Sequence, residues 1–273
     1  MRSALFLPAS NPRAIQKART LDCDVAILDL EDAVAPEAKA DARAAAVQSV
    51  RAGGFGPRLG VRINGLDTEW GADDLKALSG AGAALIVAPK VESADAARAL
   101  TAALPSGARL WAMIETPRAL MALDAIAGVE GLEALMLGVN DLAATLRTGP
   151  SPDREPLKPW LAATVAAARA HGLLALDGVY NAFNDAEGFA AECAQGRLYG
   201  FDGKSLIHPS QIAPANAAFA PSEAELDWAR AIVAAFAAPG AEGRGVLRVE
   251  GQMVERLHLS VAERVLRSLD RTT

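Results

Sequence analysis

Short, nearly continuous apolar runs recur along the chain, at Ala4–Leu7, Val25–Leu30, Leu59–Ile63, Leu85–Ala88, Leu110–Ile114, Ala134–Leu137, Leu173–Leu176 and, more weakly, Leu198–Phe201. Each is followed by a polar or Gly/Pro turn. A strand with one wet face alternates apolar and polar residues, whereas a strand buried on both faces does not, so these runs predict parallel strands inside the molecule. Helical signals lie between them. Asn11–Pro12 pairs an N-cap residue with proline at the first helical position and predicts a helix through Arg19. Further helices are expected over Pro36–Arg51, Thr68–Ser79, Ser93–Leu104, Pro117–Ile126, Glu155–Ala170 and Asp185–Ala194. Eight strands alternating with helices define a (β/α)₈ barrel or a doubly wound sheet; the strand count and a length of 273 residues favour the TIM barrel.

The pattern continues past the eighth run. Pro209–Ala218 and Ser222–Ala238 read as helices, Pro239–Gly245 as a Gly-rich linker, and Gln252–Leu269 as an amphipathic helix with Val254, Leu257, Val261, Val265 and Leu266 at helical spacing. Residues 1–220 are therefore expected to form the barrel and 221–273 a C-terminal helical extension. Such a tail is an arm onto a neighbouring subunit, a lid, or a helix packed on its own barrel, and the pattern does not choose.

Composition narrows the partners. With 27 Lys+Arg against 33 Asp+Glu the net charge is −6, which argues against nucleic acid or an anionic membrane but not against a small anionic ligand. Ala4–Leu7 is too short for a signal-peptide core and no run approaches a membrane span, so the chain reads as cytoplasmic. Cys23 and Cys193 form no Cys-x-x-Cys pair and are expected as small buried hydrophobes.

In a barrel, chemistry gathers just past the C-terminal ends of the strands. Those positions hold Pro8–Ser10, Glu31–Asp32, Arg62–Asn64, Pro89–Lys90, Glu115–Thr116, Asn140–Asp141, Asp177 and Asp202–Lys204. Glu115 and Asp141 end adjacent strands and can meet on one hard cation such as Mg²⁺, with Glu31 and Asp32 ordering its waters. The alternative is that these acids cap helices, as Asp141 could before Leu142–Leu146. Arg62 is either a structural ion-pair partner or a clamp for a substrate carboxylate. Lys90 has the chemistry of a Schiff-base lysine, but surrounding acids favour its charged form. His171, His208 and His258 lack metal-ligand spacing; His208 is expected to fix the turn before a helix.

The segments RSALFLPASNPR, VAILDLEDAVAPEAKADAR, VRINGLDTEW, VAPKVES, MIETPRAL, LGVNDLA and YGFDGKSLIHPSQI resemble, in order over roughly residues 2–215, the citrate lyase β-subunit-like branch of the HpcH/HpaI aldolase family. The resemblance implies a trimeric (β/α)₈ barrel that uses Mg²⁺ in reversible carbon–carbon cleavage of 3-hydroxyacyl-CoA thioesters such as malyl-CoA or citramalyl-CoA, giving an acyl-CoA and a 2-keto acid. It implies Glu115 and Asp141 as Mg²⁺ ligands, Arg62 as a substrate-binding and catalytic arginine, Glu115 in contact with substrate, and Glu31 and Asp32 beside the metal's waters. Arg13, Lys17 and Lys204 fall where relatives bind coenzyme A. Lyases of this kind often carry Gly-x-Met-Ile-Asp in the arm, whose aspartate reaches a neighbouring site as an acid/base group; here GQMVERLH puts Glu255 there. Alternative readings are a citrate lyase β subunit acting inside a complex, a free-acid pyruvate aldolase, and a non-catalytic thioester-binding subunit.

Overall fold

The structure, a computed structural model, describes residues 1–270. Its strands β1 (Ser3–Pro8), β2 (Val25–Asp29), β3 (Arg58–Arg62), β4 (Leu85–Ala88), β5 (Arg109–Ile114), β6 (Leu132–Leu137), β7 (Leu174–Asp177) and β8 (Gly203–Leu206) pair in sequence order, all parallel, and β8 closes onto β1. The intervening helices are α1 (Pro12–Ala18), α2 (Lys39–Ala52), α3 (Gly71–Ala81), α4 (Ala94–Ala102), α5 (Pro117–Met121), α6 (Leu123–Ala127), α7 (Val139–Leu146), α8 (Lys158–Ala170) and α9 (Ala186–Tyr199), with α10 (Ile212–Ala218) after β8. This is the (β/α)₈ barrel that the apolar runs predict.

The strands carry apolar residues on both faces because both are buried. Val25, Ile27, Leu85, Val87, Trp111 and Met113 fill the barrel. Leu5, Ala26, Leu28, Ile86 and Ala112 join the layer between the strands and the helices. At the end of the barrel where the strands begin, Trp111 Nε1 donates to Glu133 Oε2 (2.7 Å), and the same oxygen accepts from Arg58 Nη1 (2.6 Å). The opposite mouth, at the strands' C-terminal ends, is where barrels of this kind bind ligands.

Several expected elements differ. Leu198–Phe201 is not the eighth strand: α9 runs on through Tyr199 and ends at Gly200, in the left-handed conformation (φ +94°) common after a helix. Leu198 is 84% exposed, so its apolarity signalled no burial. The true strand, GKSL, hides behind a lysine. Pro117–Ile126 divides into α5 and α6 at Ala122, and Asp141 lies inside the first turn of α7 rather than capping it.

From Ala220 the chain forms a second compact unit of α11 (Glu223–Ala237), β9 (Val246–Val249), β10 (Gln252–Glu255) and α12 (Arg256–Asp270). Ser222 and Glu225 cap α11 reciprocally. The expected single helix over Gln252–Leu269 is instead an antiparallel hairpin followed by α12. Glu250 and Gly251 turn the hairpin, both at positive φ (+49° and +83°), as a two-residue turn of twisted strands requires. Ala229, Ile232, Val249, Val254 and Ala262 form this unit's core, while Met253, Leu257 and Val261 stay exposed. Among the described residues no helix is long and apolar enough to cross a membrane.

Candidate active site

Strand parity delivers the charged residues to the mouth. Asp29 follows Ile27 by two positions, Arg62 follows Gly60 by two, and Glu115 follows Met113 by two, so all three point inward at the barrel's open end. They line a cavity of about 340 Å³ with Asp32, Asp141, Asn140, Asn181 and Phe6.

Arg62 is the pivot of the cavity wall. Its Nε and Nη2 donate to the two oxygens of Asp29 (2.7 and 2.6 Å), a bidentate pair. Its Nη1 faces Glu31 (3.0 Å) and Asp32 (3.3 Å), and its guanidinium lies over the Phe6 ring at 4.8 Å. Burial opposes this charge, but the Asp29 hydrogen bonds and the three carboxylates push the pKa up, so Arg62 stays a cation. This geometry shows Arg62 as an ion-pair partner, its fork on Asp29 and its Nη1 on Glu31 and Asp32, at a position that also lines the cavity. Asp29 is the residue that the sequence reading missed; a lone carboxylate at inward parity, closing the run VAILD, is the signal for it.

Glu115 is 1% exposed. Its Oε1 accepts from the Lys90 backbone N–H (2.7 Å). Burial first, then the charges of Glu31 and Asp141, push its pKa up to about 7 against the pull of the Lys90 N–H and Arg62. Gly138, after β6, makes room for it, because a Cβ there would collide with Glu115 Cβ and Oε2. Glu31 is 8% exposed, and burial raises its pKa against Arg62 and Lys90. Its Oε1 accepts from Lys90 Nζ (2.8 Å), while Oε2 accepts no hydrogen bond among the described residues. Burial works against the Lys90 charge, but its bond to Glu31 raises the pKa, so this is a charged clamp and not a neutral amine ready for a Schiff base. Lys39 Nζ, also buried, fastens the same loop by donating to the carbonyls of Leu30 (2.8 Å) and Glu31 (3.0 Å) and to Asn64 (2.6 Å).

Among the described residues around the mouth, the carboxylates of Asp29, Glu31, Asp32, Glu115 and Asp141 outnumber the cations Arg62, Lys90 and, behind the Glu31 loop, Lys39. A buried acid pushed toward neutrality, a buried carboxylate oxygen that accepts no hydrogen bond among the described residues and all-oxygen donors fit a hard divalent cation. Among the described residues no three His, Cys, Asp or Glu side chains close on one point. Mg²⁺ needs one or two protein carboxylates and fills its other positions with water and ligand oxygens.

The remaining sequence candidates lie elsewhere. Arg13 and Lys17 are exposed on α1. Lys204 is corrected: it lies within β8, not past it, at outward parity and 0% exposed. Its Nζ donates to Asp177 Oδ2 (3.0 Å) and Glu192 Oε1 (2.7 Å), so no donor is presented to a phosphate at the mouth. Arg154 completes the group through Asp177 Oδ1 (2.8 Å) and Gln195 Oε1 (2.7 Å). Asp177 is likewise held behind the sheet; burial alone would raise its pKa, but Lys204 and Arg154 lower it. Glu255, in the second unit, ends β10 with its backbone N–H donating to His258 Nδ1 (2.9 Å). His208 caps the turn before α10 together with Gln211. Both cysteines are buried, and burial pushes their thiols up to about 11 (Cys23) and about 12 (Cys193), far from thiolate chemistry.

A closed parallel barrel with an acidic, oxygen-rich mouth at the strands' C-terminal ends defines this chain as a (β/α)₈ protein with a candidate ligand site at that mouth. Within it, residues 2–209 match the HpcH/HpaI aldolase/citrate lyase family, and the chain belongs to that family. It is 46% identical over 266 residues to a (3S)-malyl-CoA thioesterase of Cereibacter sphaeroides, covering 97% of this chain and 93% of the relative. It is 36% identical to an L-malyl-CoA/beta-methylmalyl-CoA lyase of the same organism, covering 98% and 94%. Among solved structures, the CitE protein of Mycobacterium tuberculosis in complex with magnesium, acetoacetate and coenzyme A superposes with a TM-score of 0.80 at 36% identity, covering 97% of each chain.

Proposed function

We propose that the chain is a Mg²⁺-dependent enzyme acting on the CoA thioester of a short 3-hydroxy dicarboxylic acid of the malyl-CoA kind, and that it hydrolyses the thioester bond. The observation that carries this reading is the surplus of carboxylates around Glu115, which calls for a cation able to gather the oxygens of such a substrate. Relatives named for malyl-CoA chemistry at 46% and 36% identity support it. Glu115 and Asp141 would hold the cation. When bound, Mg²⁺ supplies Lewis-acid polarisation of the substrate's carboxylate and hydroxyl oxygens.

The chain's own residues do the rest. Arg62, fixed by Asp29, brings its cationic guanidinium to the cavity wall, where it would stabilise charge that develops on substrate oxygen. Glu31 and Asp32 order water near the cation. Arg13 and Lys17 are the remaining cations offered to the CoA phosphates. Water adds to the thioester carbonyl, the C–S bond breaks, and the thiol leaves with a proton, giving the free acid and CoA.

Glu255 favours a second reading, reversible carbon–carbon cleavage, because it stands where lyases place an aspartate. In that reaction the hydroxyl loses its proton, the C2–C3 bond breaks, and its electron pair passes into the thioester enolate. Glu255, delivered by residues 221–273 of a neighbouring copy in a homotrimer, protonates that enolate to give an acyl-CoA and a 2-keto acid. The exposed Met253, Leu257 and Val261 beside it support an arm of this kind.

Product analysis with malyl-CoA and Mg²⁺ separates the readings: free thiol with malate means hydrolysis, and glyoxylate with acetyl-CoA means C–C cleavage. Consumption of neither bond defeats both. Glu255→Asp withdraws the carboxylate by one methylene and is expected to shift products toward C–C cleavage; Glu255→Gln is expected to cost roughly 10²–10⁴-fold in rate if this carboxyl transfers the proton. Unchanged products and rates in both variants remove Glu255 from the chemistry.

A further inference from the structure

Lys90, just past β4, holds a φ of +49°. That left-handed conformation is unfavourable for a residue with a long side chain and persists where the surroundings over-determine it. The surroundings here are two carboxylates. The Lys90 backbone N–H donates to Glu115 Oε1 (2.7 Å), and its Nζ donates to Glu31 Oε1 (2.8 Å). One residue thus ties the acid after β2 to the acid after β5. The other oxygen of Glu31 is buried and accepts no hydrogen bond among the described residues, although Arg62 Nη1 lies 3.0 Å away off-line. Lys90 thus holds Oε1 while Arg62 faces Oε2, so loss of the Lys90 ammonium frees the Oε1 side of Glu31 to turn toward Glu115.

We propose that Lys90 is a positioning residue that keeps Glu31 off the cation, so that coordination positions stay open for substrate oxygens and water. This rests on the reading that Glu115 and Asp141 hold that cation. A six-coordinate Mg²⁺ that accepted a third carboxylate would sit more tightly in the resting protein and would offer fewer positions to a chelating substrate. The main chain of Lys90 orients Glu115; its side chain restrains Glu31. The left-handed backbone lets one residue do both, because it turns the N–H toward β5 while the side chain reaches back toward β2.

The test is Mn²⁺ affinity, measured by paramagnetic titration of the full chain without substrate, together with KM for the thioester. Lys90→Met is expected to bind Mn²⁺ roughly tenfold more tightly, the low end of what groups behind the ligands do to metal affinity, and to raise KM. In a Glu31→Gln background the same change is expected to alter Mn²⁺ affinity by less than about twofold, because the carboxylate it would release is gone. Should Lys90→Met not fold, Lys90→Gly, which takes this φ freely, carries the same expectations. Unchanged or weaker Mn²⁺ binding overturns the proposal. So does an equal gain in the Glu31→Gln background, which marks a through-space charge effect. Loss of Mn²⁺ binding in Glu115→Gln is expected. Undiminished binding there overturns the cation reading and this proposal together, and is distinguishable because it appears with Lys90 intact.

Discussion

Two ionic clusters flank the C-terminal half of the barrel wall, one inside the mouth and one behind the sheet. Behind it, Asp177 and Glu192 meet Lys204 and Arg154, and each charged group has a close partner of opposite sign. Burial of such a group is tolerable because every charge is matched. Inside the mouth the carboxylates outnumber the cations, Glu115 is pushed toward protonation, and an oxygen of Glu31 lacks a hydrogen bond. Both clusters look alike in the sequence, as acids and bases near strand ends. Their charge balance separates them: the matched set holds the wall together, and the unmatched set is poised for a ligand.

That contrast is open to direct attack. The largest effect is expected from Glu115→Gln, which should lower Mg²⁺-dependent turnover by about a thousandfold, the equivalent of several kcal/mol of lost charge stabilisation, without lowering the melting temperature of the cation-free protein. A variant that turns over normally, or one that simply unfolds, would erase the distinction between the clusters. Lys204→Met strikes the matched set and should behave in the opposite way. It strands Asp177 in a buried site and is expected to destabilise the fold by about 3–5 kcal/mol in denaturant melts, while KM for the thioester per folded molecule stays unchanged. A selective rise in KM with no loss of stability would return Lys204 to the ligand-binding residues.

The smallest expected effect is on pH dependence. The folded-state pKa of Glu115, about 7, lies above its unfolded value, so the folded state binds the extra proton. Stability of the cation-free protein should therefore fall as pH rises from about 4.5 to about 7, by an amount on the order of 3 kcal/mol, and level off above. Cation affinity should rise over the same window as the competing proton leaves. Glu115→Gln should abolish this component of both curves. Parallel pH–stability curves for wild type and variant would show that the mouth is not strained by charge.

Most of the barrel was legible because its strands are buried on both faces and so appear as nearly continuous apolar runs, with charges such as Asp29 and Arg62 confined to their ends. The run at Val25–Leu30 and the one at Leu110–Ile114 each led to a real strand and, through the positions just past its end, to Glu31, Asp32 and Glu115; the inward parity of Asp29 within the first run went unread. The eighth strand was not legible, because Lys204 interrupts it with a charge that a local pattern reads as solvent-exposed. The hairpin at Val246–Glu255 was also hidden. Its alternation around Glu250–Gly251 was the available signal, but the Leu257–Val261 helical spacing beyond it drew the helix boundary backward to Gln252.

The sequence by itself determined the barrel, its family, and the presence of Glu31, Asp32, Arg62, Glu115 and Asp141 near strand ends, since these depend on local periodicity and on motifs contiguous in the chain. Only the tertiary structure decided which charges are matched. Asp29 meets Arg62 across neighbouring strands, Lys90 bridges Glu31 and Glu115, and Lys204 finds Asp177 and Glu192 behind the sheet. The physical reason is that the free energy of a buried charge depends on which groups lie within a few ångströms of it. In a closed barrel those neighbours come from segments tens of residues apart, brought together by strand register and parity.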